Sequence, residues 1–373
     1  YLLARVKHPI GDDNLSYGLL ALNNAALAST NNTAIGMRSL EGLSTGNFNT
    51  AVGIDSGGSL STPSFNTAIG ASALSGLAGD GNTAVGRQAL QITGGVGNTA
   101  VGRDSLSSVG IADNNTAVGS FSGISITLGS SNVVIGNSVG GAITTQSYNV
   151  AIGTEAMSIG AGNDGIAIGS RANGNAGDFN IAIGTDSMAA GGLFSEAIGI
   201  GHNAMLDGGP NDIAIGTNAL STPTAGNNIA IGTGAFAGFV AIPPTQDNIA
   251  IGVEALNNPA IALGQRNVAI GYQAQHNFAN AVDSICLGSG VVIQRTNEFR
   301  LSDNINEINI GIGFASQAFP LGTKVFPDNN AAQVAGLLVG DLYVVDPIVL
   351  GLPPLGGAAP PVGQGPAMLA VVY

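Results

Sequence analysis

Asn32-Thr33-Ala34-Ile35-Gly36 opens a phrase that returns as Asn49-Thr50-Ala51-Val52-Gly53, Asn66-Thr67-Ala68-Ile69-Gly70 and Asn82-Thr83-Ala84-Val85-Gly86. Further copies close on Gly102, Gly119, Gly136, Gly153, Gly169, Gly184, Gly199, Gly216, Gly232, Gly252, Gly271 and Gly288, at steps of 15–20 residues. Gly18 reads as a worn first copy and Ala262-Leu263-Gly264 as a partial extra one. So short a period excludes paired-helix repeats and propeller blades, whose units need roughly 30–50 residues. It fits one coil of a parallel β-solenoid, where each unit buries its apolar side chains only by stacking on its neighbours.

Within the phrase, strand alternation puts Thr33 and Ile35 on one face and Ala34 on the other. The Thr slot becomes Val133, Val150, Ile166, Ile181, Ile213, Ile229, Ile249, Val268 and Ile285 in later copies. A position that accepts these β-branched residues reads as a strand position packed inward. The expected core is therefore the Thr33 slot together with Ile35, Val52, Ile69, Val85, Val101, Val118, Ile135, Ile152, Ile168, Ile183, Ile215, Ile231, Ile251 and Ile270. The other face carries Ala34, Ala51, Ala68, Ala84, Ala100, Ala117, Ala151, Ala167, Ala182, Ala214, Ala230, Ala250 and Ala269, with Ala197 assigned to the same row. A row that stays small and apolar implies close packing of another backbone, either the second strand of the coil or a neighbouring chain. With the first face supplying the interior, the alanines are expected to form an interface between chains.

A second segment follows many copies, as in Ser39-Leu40, Ala73-Leu74, Ala89-Leu90, Ser105-Leu106 and Ala156-Met157. It predicts the coil's other strand, with Leu or Met capping the interior. The leading Asn predicts a stacked amide ladder that satisfies backbone groups at a turn. About 17 coils at ~4.8 Å each give a rod roughly 80 Å long.

Composition narrows the function classes. The chain holds 58 glycines in 373 residues and only two lysines, Lys7 and Lys324, within a net charge of −13. That balance argues against a nucleic-acid partner, whose phosphates need clustered cations. No run of 18 apolar residues is present, so no membrane insertion is expected. Cys286 is the one cysteine, in a slot otherwise filled by Ala, and reads as a small buried thiol. His8, His202 and His276 lie far apart, without the i+2 to i+4 partners of a metal site. Acids such as Asp80, Asp113, Asp164 and Asp178 are scattered and form no dense Asp-x-Asp-x-Asp calcium run. No catalytic residue, cofactor or metal is expected, and the chain reads as non-enzymatic.

The Asn-x-Ala-Ile-Gly phrase is similar to the head repeats of trimeric autotransporter adhesins. The Asn-Thr-Ala-Ile/Val-Gly…Ala-Leu arrays resemble still more the repeats of phage and large-virus tail-fibre or surface-fibre proteins. The resemblance implies an all-β fold, a left-handed parallel β-roll, with three chains side by side. It covers residues 14–290, leaving 1–13 as an N-terminal junction and 291–373 as a small β-rich cap or tip. Here Val291 to Arg295 and Glu307 to Gly311 read as short strands. A helix, turn and strand are expected over 331–345, and a last strand from Met368. The implied function is a homotrimeric fibre or adhesin subunit, extracellular on a virion or cell surface. Its partners would be sister chains, other virion or filament subunits, and a host glycan or surface protein. The alternative is a filament subunit stacking end to end without a receptor. An ice-binding rod would need an exposed, uninterrupted Thr array, and a sugar-cleaving one a carboxylate pair in a groove.

Overall fold

The computed structural model describes residues 13–301 apart from short segments at 25–28, 92–93, 109, 174–176, 190–194, 222–223, 239–244, 259–263 and 277–280. It also describes three strands further on, at 325–326, 342–345 and 368–371. The chain divides into two compact units, Tyr1–Ser302 and Asp303–Tyr373.

The first unit is a β-solenoid built on one 18-stranded sheet. Its strands are three residues long and start with β1 (Leu15–Tyr17), β2 (Thr33–Ile35) and β3 (Thr50–Val52). The series runs through β7 (Thr116–Val118), β10 (Ile166–Ile168) and β16 (Val268–Ile270) to β18 (Ile285–Leu287) and β20 (Phe299–Leu301). Consecutive coils pair in parallel and slot for slot: Thr33 with Thr50, Ala34 with Ala51, Ile35 with Val52. The sheet thus continues one strand past the expected end of the array at residue 290. No helix occurs among the described residues.

The closing glycine is demanded twice over. Gly36 has φ of 131°, and a Cβ there would lie 2.3 Å from the Gly53 carbonyl oxygen of the next coil. Left-handed backbone then turns the chain at non-glycine corners as well, including Asn31 (φ 59°), Arg38 (φ 57°) and Leu40 (φ 48°). Because of these corners, the Ser39-Leu40 segment and most of its counterparts are turns and not the second strand expected from the sequence. Among the described residues, only Gln275–His276 and Val292–Ile293 pair as strands at that side. The turns still bond coil to coil: Leu74 N–H donates to the Ala89 carbonyl at 2.9 Å and Leu90 N–H to the Ser105 carbonyl at 2.9 Å.

The two strand faces are the reverse of the sequence expectation. Ala34, Ala51, Ala68, Ala84, Ala100, Ala117, Ala151, Ala167, Ala182, Ala214, Ala230, Ala250 and Ala269 are buried inside the single chain. They face the Leu/Met row of the same coil, Leu40, Leu74, Leu90, Leu106, Met157 and Met205 among them, which is fully buried too. The alanines are therefore core residues, not the surface that meets a sister chain. The residues expected in the core point outward instead: the strands read half-buried, buried, then half-buried or exposed along Thr33–Ile35, Thr50–Val52 and Thr67–Ile69. The same holds at Val85, Val101, Val118, Ile135, Ile152, Ile168, Ile183, Ile215, Ile231, Ile251 and Ile270.

Volume explains the reversal. The interior is narrow, and the long side chain comes from the turn, so the strand can contribute only a methyl group. Where the strand contributes more, the turn gives way. Val134 replaces Ala, and the Leu slots around it are Gly123 and Gly140. A Cβ on these glycines would lie 3.1 Å and 2.8 Å from the Val134 methyls. Ile126 and Ile143, three residues along each turn, fill the remaining space and are fully buried. At Gly57 the exchange stays within the turn: the strand keeps Ala51, and Leu60 supplies the volume that the Leu slot lacks. Summed volume is conserved while its source moves, which close-packed interiors tolerate.

One coil is phased differently from the sequence reading. Strand Ile198–Ile200 sets Gly199 opposite Ala182 and Ala214, so Gly199 fills the methyl slot and Gly201 closes the phrase. Ala197 sits in the Asn slot, its N–H donating to Asn180 Oδ1 at 3.1 Å.

In the second unit, Val325–Phe326 pairs in parallel with Leu342–Val345, which pairs antiparallel with Met368–Val371. The strands expected at 342–345 and from Met368 are present. The strand expected over 291–295 is present as Val292–Ile293. The expectations at 307–311 and 331–341, the N-terminal junction apart from Asp13, and the partial copy at 262–264 apart from Gly264 fall on residues outside those described.

Candidate functional site

The inner lining of the rod is polar along one edge, and this ladder is structural. Asn49 N–H and Nδ2 donate to Asn32 Oδ1 at 2.9 and 3.1 Å, while Asn66 N–H donates to Asn49 Oδ1 at 3.0 Å. The free amide hydrogen of each Asn is spent on a turn carbonyl, as from Asn115 Nδ2 to Gly129 at 2.9 Å. Every amide is buried, so each coil supplies the acceptor that the next coil's backbone needs. Gly165 and Ala197 interrupt the ladder. After Ala197 comes Asp212, whose Oδ1 accepts Asn228 N–H at 2.7 Å. Its Oδ2 accepts Gly209 N–H at 2.5 Å and the Thr224 hydroxyl. With no amide acceptor behind it at Ala197, an acceptor-only side chain suits the place. Burial holds the Asp212 carboxyl above the usual range, against these hydrogen bonds.

A second polar ladder runs outside the first, two residues before each Asn. Asp80 Oδ1 accepts Ser64 N–H at 2.8 Å, Asp113 Oδ1 accepts Val96 N–H at 2.7 Å, and Asp178 Oδ1 accepts Asn163 N–H at 2.6 Å. These acids cap turn amides of the preceding coil. Among the described residues, no three His, Cys, Asp or Glu side chains converge as a metal site would require. Cys286 lies buried in the methyl slot, and burial pushes its thiol up to about 12, far from a reactive thiolate.

Among the described residues, the outward face of the sheet forms an extended surface feature. Two rows run along it, the Thr33 row and the Ile35 row, and none of their members from β1 to β18 is charged. Ile69 remains 41% exposed and Ile270 39%, so half-covered aliphatic side chains meet solvent at both ends of the stripe. With strands ~4.8 Å apart and two rows about 7 Å across, the stripe measures roughly 80 by 10 Å, on the order of 800 Å². Thr33 to Thr116 carry hydroxyls, so this footprint is apolar only in part. Ladder-paired corners flank it. Phe48 and Phe65 stack at 5.1 Å with planes 4° apart, both largely exposed. Arg38–Asp55, Arg171–Asp186 and Arg266–Asp283 bridge adjacent coils at 2.5 to 2.6 Å. Hydrogen bonds from the guanidinium groups hold these three carboxyls below their ordinary values.

The outward stripe was legible as a β-branched row, but its direction was not, because a row of Thr, Val and Ile suits either a core or a covered surface. No family model matches this chain, and no curated protein matches it.

Proposed function

We propose that this chain is a non-enzymatic structural subunit of a rod-like fibre, self-associated as a homotrimer on a virion or cell surface and serving attachment there. The observation that carries the reading is the outward stripe: 16 successive coils present uncharged residues, mostly aliphatic, in both rows. Water-facing strand positions commonly admit polar and charged residues, so a stripe without a single charge over 16 coils favours burial. Its area of about 800 Å² equals what one partner contributes to a stable interface. A sister chain matches it best, since only another solenoid offers side chains at the same ~4.8 Å rise. The resemblance to trimeric adhesin heads and viral fibre repeats supports three chains and a surface role.

Light scattering coupled to size exclusion tests the reading directly. The expected species is a trimer of the 36.7 kDa chain. A monodisperse monomer at micromolar concentration would overturn it, and concentration-dependent growth into fibrils would favour end-to-end stacking instead.

A further inference from the structure

The two rows of the outward stripe do not change together along the rod. From β2 to β7 the first row is Thr in every coil, Thr33 to Thr116. It passes through Val133 and Val150, and from β10 onward it is Ile166, Ile181, Ile198, Ile213, Ile229 and Ile249 before Val268 and Ile285. The second row stays Val or Ile over the same span, Ile35 to Ile270. The backbone does not require this drift, because Thr and Ile occupy the same register: Thr116 pairs with Val133, and Val150 with Ile166. The Ala row behind it shows no matching drift: it is Ala on both sides of the switch, with Val134 and Gly199 as exceptions. What differs is only what the stripe offers to a covering partner.

We infer that the sister chains are held together chiefly by the Ile half, β10 to β16, and that the Thr half is a weaker, hydroxyl-lined contact. This rests on the self-associated rod proposed above. Covering an Ile side chain removes more apolar surface than covering a Thr, by at least the worth of a methylene. Thr also brings a hydroxyl that loses water unless a partner accepts or donates. Thr50, Thr67, Thr83 and Thr99 are half-buried on the outward face, so a covering chain takes water from their hydroxyls. Ordered water between chains serves them best, and a wet contact is looser than a dry one. The gradient also rewards parallel neighbours, which set Ile on Ile; antiparallel ones would set Thr hydroxyls against Ile methyls.

The first two of three test variants exchange residues that the slot already accepts, and the third only trims Thr to Ala. One variant carries Ile213→Thr, Ile229→Thr and Ile249→Thr; a second carries Thr67→Ile, Thr83→Ile and Thr99→Ile; a third carries Thr67→Ala, Thr83→Ala and Thr99→Ala. Dissociation is followed by sedimentation over a dilution series, with far-UV circular dichroism as a check on the fold. Each Ile→Thr exchange is expected to lower the association constant about tenfold, so that of the first variant falls on the order of 10³-fold and dissociation moves to higher concentration. The second should tighten association, and the third should shift it less than about tenfold. If the first variant dissociates no more readily than the third while the wild type is an oligomer, the uneven interface is wrong although self-association stands. A wild-type chain that is monomeric throughout overturns both.

Discussion

Replacing Asn115 by Ala probes the inner amide ladder at one rung. Asn115 Oδ1 accepts Asn132 N–H and Nδ2, both at 3.0 Å, while Asn115 Nδ2 donates to the Gly129 carbonyl at 2.9 Å. A weaker bond runs from Nδ2 to Asn98 Oδ1 at 3.3 Å. Ala removes the acceptor, and the buried Asn132 backbone N–H is then stranded at a cost of about 1–3 kcal/mol. The Gly129 carbonyl loses its amide donor too, but a carbonyl with two lone pairs tolerates this better, so about 1 kcal/mol is added. The expected loss is roughly 2–4 kcal/mol. It is read from the midpoint of urea unfolding at fixed protein concentration, with amide exchange at Asn132 locating the damage. Ala197 shows that the slot accepts Ala sterically, so no strain contributes. A variant within about 0.5 kcal/mol of the wild type would refute the claim that each rung depends on the amide of the one before it.

Four further outcomes follow from the packing and the charges. Ala100→Leu should unfold or grossly loosen the protomer, because its methyl is enclosed within the coil, and overfilling a packed core costs about 1–3 kcal/mol or more; a folded, stable variant that merely fails to associate would restore the interface reading of the alanines. Leu60→Ala should cost about 2–5 kcal/mol by thermal melting, since Leu60 fills the space left at Gly57. Adding Gly57→Ala should not rescue it, as a Cβ there would lie 2.8 Å from the Leu40 side chain. Asp212 contributes a pH dependence whose sign follows from its raised carboxyl value. The folded chain binds the proton more tightly than the unfolded one, whose carboxyl sits near about 3.9. Stability is therefore fullest below that value and falls as pH rises through the folded one. Asp212→Asn should remove that slope when melting is compared across acidic pH, although it loses the acceptor for Gly209 N–H. An unchanged slope would locate the dependence elsewhere.

Much of this architecture could be read from the chain because the repeat makes each statement redundant. One Asn-Thr-Ala-Ile-Gly copy is a weak signal, whereas 16 in phase set strand, turn and stacking direction together. The glycine closing each phrase and the stacked amides were legible for the same reason. The left-handed corners were not, since Arg38 and Leu40 carry no local mark of positive φ; only tertiary context forces such residues there, at about 1–2 kcal/mol each. The phase of the Ile198–Ile200 coil was missed because Ala197-Ile198-Gly199 imitates the end of the phrase. The register is decided by Asp212 in the next Asn slot and by the glycine at 201, two residues further on.

The direction of the faces turns on size, and the information was present in the turn and not in the strand. A core closed by Leu40, Leu74, Leu90 and Leu106 from one side has room on the other for a methyl and little more. At Gly199 even that is lacking: a Cβ would lie 2.9 Å from Ser187 Oγ and 3.1 Å from Met188 Cγ. Had Thr33 and Ile35 pointed inward with Leu40, the coil would have needed a wider loop than 17 residues can supply. The paired exchange of Val134 with Gly123 and Gly140 is the clearest sign, because only residues sharing one interior trade volume in this way. The alanines are satisfied within each coil, so in the proposed assembly the interface moves from the alanines to the uncharged β-branched stripe.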